Sequence, residues 1–195
     1  PTIKRAWAEI IRAKINNQAE CMRLSNVDDH DRLLSYARRM RSGDPENLEA
    51  QASAVYFRAM FGANFDRSQA RWTNSALDYG YAIFRGTIAR ALVAHGFLPA
   101  IGLFHRSEQN AFNLADDVIE PFRPIVDLHV AKHPPADQEE PLTPRHKADL
   151  VALLNVDVGM ARGVMSALSA IEHTVESLAR LMETEPEAEL ELPRL

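Results

Sequence analysis

Apolar side chains recur three and four positions apart along almost the whole chain, the period of an α-helix with one buried face. Trp7, Ile10, Ile11, Ile15, Ala19 and Met22 predict a first helix over about 3–24. Asp28-Asp29 can cap a second, with Leu33, Leu34, Ala37 and Met40 on one side and arginines elsewhere, closing at Ser42-Gly43. Asp44-Pro45-Glu46 opens a third, because proline at the first helical position loses an N–H that would be unpaired anyway. Leu48, Ala52, Val55, Tyr56, Ala59 and Met60 follow, and Gly62 closes it. After a loop over 63–73, a long apolar helix runs from about Asn74 to Ala94 and stops at His95-Gly96, with Pro99 behind it. Helices over about 107–120 and 122–132 come next, and the run from His133 to Pro141 reads as a surface loop. Two further helices, over about 144–154 and 157–182, complete the pattern. No segment alternates with period 2 between turn signals, and no internal repeat is visible. The expected fold class is all-α: a helical domain over 1–182 followed by an acidic, disordered tail over 183–195.

Composition changes this picture little until it is read along the chain. The 195 residues suit one domain, and one cysteine, Cys21, cannot form an internal disulfide and fits a reducing compartment such as the cytoplasm. No apolar run approaches the roughly 20 residues that a membrane span needs. A net charge of −5 argues at first against nucleic acid. Yet residues 1–43 carry nine Lys or Arg against five acids, while residues 133–195 carry five against twelve. The deficit is concentrated at Glu183, Glu185, Glu187, Glu189 and Glu191, and the front end, with Arg38, Arg39 and Arg41, is basic.

Three places carry candidate chemistry. Glu49 lies beside Ala52 and Tyr56, at the edge of a buried stripe; a first-turn Glu also simply complements the helix dipole. His105 ends the short apolar run Ala100-Ile101-Gly102-Leu103-Phe104, a position that also suits a hydrogen-bonded structural imidazole. Asp117 and Glu120 share a face of an otherwise apolar helix, as nearly do Asp116 and Glu120. Acids so placed repel and need a cation, either arginine or a metal. Carboxylate, imidazole and carboxylate together suit Mg²⁺ or Mn²⁺ rather than zinc. Arg71, Arg85, Arg106 and Arg123 surround these acids in sequence, and acids that hold metal beside arginines that hold phosphate describe a phosphoryl-transfer site.

Asp44-Pro45-Glu46-Asn47-Leu48-Glu49, then Asn74 through Ala82, then Gly102-Leu103-Phe104-His105-Arg106, then Phe112 through Pro124 occur in an order that resembles the universal integrase family of CRISPR adaptation. The form Leu114-Ala115-Asp116-Asp117-Val118-Ile119-Glu120-Pro121-Phe122-Arg123-Pro124 is most similar to its type II branch. The resemblance implies a helical catalytic domain, without the N-terminal β-strand domain of family members. It implies a metal triad at Glu49, His105 and Glu120, with Asp117 as a further ligand, binding Mg²⁺ or Mn²⁺. It implies an endonuclease and integrase that joins the 3′-hydroxyl of captured foreign DNA to the CRISPR repeat. The partners implied are that DNA, a homodimer in the full-length protein, the small partner adaptation protein and the type II effector nuclease. Asn74, Tyr79, Arg106, Arg123, Arg38, Arg39 and Arg41 become candidate DNA contacts. Asp78 departs from the asparagine that many relatives carry in its block. A transposon-encoded homologue, or a helical docking module without activity, would share much of this pattern.

Overall fold

The computed structural model of the chain describes residues 2–183 and 188–195. Helix α1 (Thr2–Leu24) buries Trp7, Ile10, Ile11, Ile15, Cys21 and Met22, and α2 (His30–Arg39) and α3 (Leu48–Phe61) lie against it. Helix α4 (Trp72–Ala94) is the spine of a second apolar cluster, which gathers α5 (Asn113–Val118), the 3₁₀ turn Glu120–Phe122, α6 (Arg123–Lys132), α7 (Pro144–Ala152) and α8 (Ala167–Glu183). The two clusters meet where α1 crosses the 3₁₀ turn and α6, and Phe57 and Leu103 pack against both. Burial of these apolar faces, at roughly 25 cal/mol per Å², is what holds helices of such length in place. Among the described residues, no helix is long and apolar enough to cross a membrane.

The expected all-α class holds, with one addition and several shifted boundaries. Residues 157–166 form a hairpin rather than the first turns of α8: β1 (Asp157–Met160) pairs antiparallel with β2 (Gly163–Ser166), Asp157 opposite Ser166 and Met160 opposite Gly163. Val158 and Met160 face the core while Asp157 is exposed, so a period-2 pattern is present but only four residues long. Gly163, at φ +121°, supplies the left-handed turn residue.

Helix α5 begins at Asn113, not near 107. The Asn113 amide donates to the carbonyls of Ala100 and Ser107, and its oxygen accepts from the Ser107 N–H. Side-chain bonds to backbone groups therefore replace the helix ladder over this stretch. Helix α3 likewise starts at Leu48, because the Asp44 carboxylate accepts from the N–H groups of Leu48 and Glu49 and so caps the helix across a turn.

The tail expected to be disordered is not so over residues 188–195; residues 184–187 lie outside the described residues. Arg194 and Gly159 exchange backbone hydrogen bonds at 2.8 Å, which adds a bridge to the hairpin. Glu191 accepts from Arg162 at 2.7 Å and from Arg180 at 2.8 Å, and Thr174 donates to the Glu191 carbonyl. Asn17 of α1 donates to the Pro193 carbonyl at 2.9 Å. Composition marks these residues as solvated, but the groups that hold them, among them Asn17, Gly159 and the Glu191 partners Arg162 and Arg180, lie elsewhere in the sequence.

Candidate functional site

Glu49, His105 and Glu120 come from three elements: the first turn of α3, the irregular segment between α4 and α5, and the start of the 3₁₀ turn. What draws the two glutamates together is Lys14, on the face of α1 that crosses both. Its Nζ donates to Glu49 Oε1 at 2.9 Å and lies 2.5 Å from Glu120 Oε2. Lys14 is 7% exposed and Glu120 5%. Arg123 Nε donates to the other oxygen of Glu120 at 2.8 Å.

Burial works against the charge on Glu120, yet Lys14 and Arg123 outweigh it and hold the carboxyl at about 2. Burial likewise opposes the charge on Lys14, and the two carboxylates overcome it and push its pKa up. The spot between Glu49 and Glu120 is thus a place where a buried cation is stabilised.

His105 is held differently. Its Nδ1 lies 2.6 Å from Asp117 Oδ1, and the backbone N–H of His105 also donates to that oxygen. Asp117 Oδ2 accepts from the N–H groups of Leu103 and Phe104. Asp117 is fully buried with both oxygens occupied, so it organises the segment 103–105 instead of standing as a free metal ligand, as the sequence had suggested. A carboxylate on Nδ1 fixes the ring with Nε2 directed away, the arrangement of metal-ligating histidines in general. The Asp117 hydrogen bond outweighs burial and pushes His105 above the usual imidazole value. Trp7 completes the setting: it stacks on Phe104 with ring centres 4.5 Å apart and meets His105 edge-on at 6.0 Å. Trp7 and Lys14 are two turns apart on α1, so one helix serves both halves of the site.

Two carboxylates and one imidazole suit Mg²⁺ or Mn²⁺, and the buried ammonium shows that the pocket's charge calls for a cation. The residues fit such an ion in chemistry and charge. Among the described residues, however, no three His, Cys, Asp or Glu side chains stand close enough to hold one as they are. Lys14 lies between the glutamates, and His105 is engaged with Asp117.

The expected DNA contacts divide. Asn74 is 4% exposed and fully employed: its amide donates to the carbonyls of Asp66 and Gln69, and its oxygen accepts from Arg67. Tyr79 is half-buried against the second cluster, with the Lys147 ammonium 5.6 Å from its ring centre. Arg123 serves Glu120 and lies over the Tyr81 ring at 4.6 Å. Arg106 is exposed beside His105. Arg38, Arg39 and Arg41 are exposed at the end of α2, where Arg39 pairs with Glu46 just ahead of Glu49. Asp78 pairs with Arg67, and so its charge is compensated within the chain. Lys14 escaped the sequence reading; its only signal was a charged residue between Ile11 and Ile15 on an apolar face.

A family model described as CRISPR associated protein Cas1 matches residues 4–138. The CRISPR-associated endonuclease Cas1 of Neisseria meningitidis serogroup C is 42% identical over 197 residues, covering all of this chain and 65% of that protein. The chain therefore spans just under two thirds of that relative's length. A casposase bound to its integration product superposes with a TM-score of 0.74 at 19% identity, over 95% of this chain and 62% of that one. The Thermotoga maritima Cas1 protein TM1797 gives 0.71 at 19%, over 92% and 65%. These two likenesses are of fold.

Proposed function

The chain belongs to the Cas1 family of CRISPR associated proteins, and from that premise we propose that it is the helical catalytic part of a divalent-metal-dependent DNA endonuclease and integrase of CRISPR adaptation. The observation that carries this reading is the convergence of half-buried Glu49 and buried Glu120, from separate elements, on the single buried ammonium of Lys14. Acids are brought together at such cost where a cation is required.

Glu49, Glu120 and Nε2 of His105 are the groups that would hold Mg²⁺ or Mn²⁺. When bound, the ion supplies Lewis-acid polarisation of a phosphate and stabilises charge on the oxygens around it. The protein's own residues do the rest. Asp117 accepts the Nδ1–H hydrogen bond and so fixes the tautomer in which Nε2 carries the free electron pair. Arg123 orients Glu120, and Lys14 keeps the glutamates paired before loading. Strand transfer then balances simply. The 3′-hydroxyl of the captured strand gives up its proton and its oxygen bonds to a repeat phosphorus; the displaced 3′-oxygen leaves as a hydroxyl. The partners in this reading are captured and repeat DNA, a second copy in the full-length protein and the small partner adaptation protein. Arg38, Arg39, Arg41 and Arg106 are exposed cations available to the DNA backbone. A mobile-element integrase is the second reading, favoured by the casposase likeness; the same residues would act on element ends.

The test is strand transfer in Mn²⁺ by the full-length protein carrying Glu49→Gln or His105→Ala. Each is expected to lose roughly 10²-fold or more, the scale of losing one preorganised charge-stabilising group. Wild-type activity in either variant overturns the assignment.

A further inference from the structure

Beside the Glu120 site lies a second feature that the triad does not use. A cavity of about 290 Å³ is lined by Arg67, Tyr81, Arg85 and Arg123, with Asp78 and Asp116 among its walls. The three arginines come from three elements: the loop before α4, α4 itself and the first residue of α6.

Each guanidinium is held in place. Arg67 donates to Asn74 Oδ1 at 3.1 Å, and Asn74 is itself pinned by two loop carbonyls at 2.8 Å. Arg123 is fixed through Nε by Glu120 and stacks over one tyrosine, Tyr81, whose ring centre also lies 5.7 Å from the Arg67 guanidinium. Arg85, one turn beyond Tyr81 on α4, rests over the Phe112 ring at 5.1 Å. Like charges gathered around one opening repel, and such a cluster is stable only with anions nearby.

The acids present match it incompletely. Asp78 is paired with Arg67, but its side chain is 65% exposed, so water screens the pair. Asp116 stands 3.7 Å from Arg85, a loose ion pair, while its other oxygen accepts from the Asn110 amide at 2.7 Å. Glu120 is already shared between Lys14 and Arg123. Three preset forks share two carboxylates at the cavity, each close to one fork. Arginine forks match the paired oxygens of a phosphate in geometry as well as charge.

We propose that this cavity is a phosphodiester-binding subsite, in which Arg67, Arg85 and Arg123 grip one backbone phosphate of a DNA strand. Asp78 and Asp116 act as placeholders that the phosphate displaces. Arg123 bonds Glu120, so the gripped phosphate lies next to the triad and sets the register of the strand entering it. This assignment rests on the DNA-directed function above, and it adds the residues that place the strand.

The experiment is DNA binding without metal, which separates the subsite from catalysis. A fluorescent branched oligonucleotide is titrated in EDTA across a salt series against the full-length wild type and Arg67→Gln/Arg85→Gln. Arg90→Gln serves as a charge control, since Arg90 is exposed on α4 outside the cavity. Loss of one phosphate contact lowers the slope of log K against log salt by about 0.9 in the double variant. Affinity at low salt falls about tenfold, with melting temperature and Mn²⁺ affinity unchanged. An unchanged slope in the double variant, or an equal fall in Arg90→Gln, overturns the subsite. Calorimetry with inorganic phosphate distinguishes the source: binding as tight as that of the oligonucleotide overturns the strand assignment in favour of the free ion. The slope difference between wild type and double variant, seen with a wild type that performs no strand transfer, keeps the subsite and removes the proposed function. A wild type that binds no DNA removes both.

Discussion

At Gly102, an added Cβ would fall 2.3 Å from the His105 carbonyl oxygen and 2.8 Å from Asp117 Oδ2. Neither neighbour can give way, because one is backbone and the other is a buried carboxylate holding three N–H groups of the same segment. Gly102→Ala must therefore shift the loop that presents His105. It is expected to weaken Mn²⁺ binding by 10- to 100-fold, the usual scale for losing a ligand's supporting partner. Calorimetry checks this, and wild-type affinity would refute it. The sequence shows why some of this was readable and some was not. His105 and Glu120 stand in the short blocks that carry the family resemblance, and their expected role is what that resemblance implies. Asp117 looked like one more acid of the cluster, because sequence cannot tell a carboxylate aimed at a metal from one aimed at its own chain's N–H groups.

Lys14 acts between elements. It ties α1 to the first turn of α3 and to the 3₁₀ turn, so its removal leaves two carboxylates facing each other without their shared cation. Lys14→Met is expected to cost the metal-free protein roughly 3 kcal/mol, at the low end for a broken buried pair because Arg123 still serves Glu120. Excess Mn²⁺ should then restore more stability to the variant than to the wild type. Thermal melts with and without Mn²⁺ measure both, and equal metal-induced shifts would contradict the bridging role. The periodicity of α1 was plain in the sequence, but the elements it crosses were not, since crossing is decided by tertiary packing. The hairpin was missed for a related reason. Its strands are four residues long and rich in Gly and Met, too short for alternation to stand out, and they acquire a face only when Val158 and Met160 meet the core.

Across the whole molecule, Asp127 of α6 gathers buried hydroxyls: Tyr56 of α3 donates to Oδ2 at 3.0 Å and Tyr81 of α4 donates to Oδ1. It thereby joins the two apolar clusters. Burial pushes its pKa from 3.8 up to about 6, against the two tyrosine bonds, which pull it down. The folded state thus holds this proton more tightly than the unfolded chain does. The stability that results is complete below pH 3.8 and is lost as pH rises to about 6, a span worth about 3 kcal/mol. Asp127→Asn should flatten the wild-type decline across that window. Urea unfolding at a series of pH values measures it, and an identical slope in the variant would refute the assignment. No local pattern marked this residue, because its partners lie 71 and 46 positions away.

The seat of residues 188–195 has a practical consequence for anyone shortening the protein. Composition invites a cut at about 182, as though the glutamates were packaging. Yet Asn17 holds the Pro193 carbonyl with the same amide that it gives to the carbonyl of Pro121, the neighbour of Glu120. The Leu195 N–H closes the arrangement on Asn17 Oδ1. A chain trimmed after Glu187 would strip one side of that clasp and leave Asn17 to steady the triad's turn alone. Its melting temperature should fall by several degrees, and its Mn²⁺ affinity should fall with it, although no residue of the triad has been touched. Differential scanning calorimetry of the trimmed and untrimmed chains, each with and without Mn²⁺, would show whether the acidic segment serves as a strut for the site.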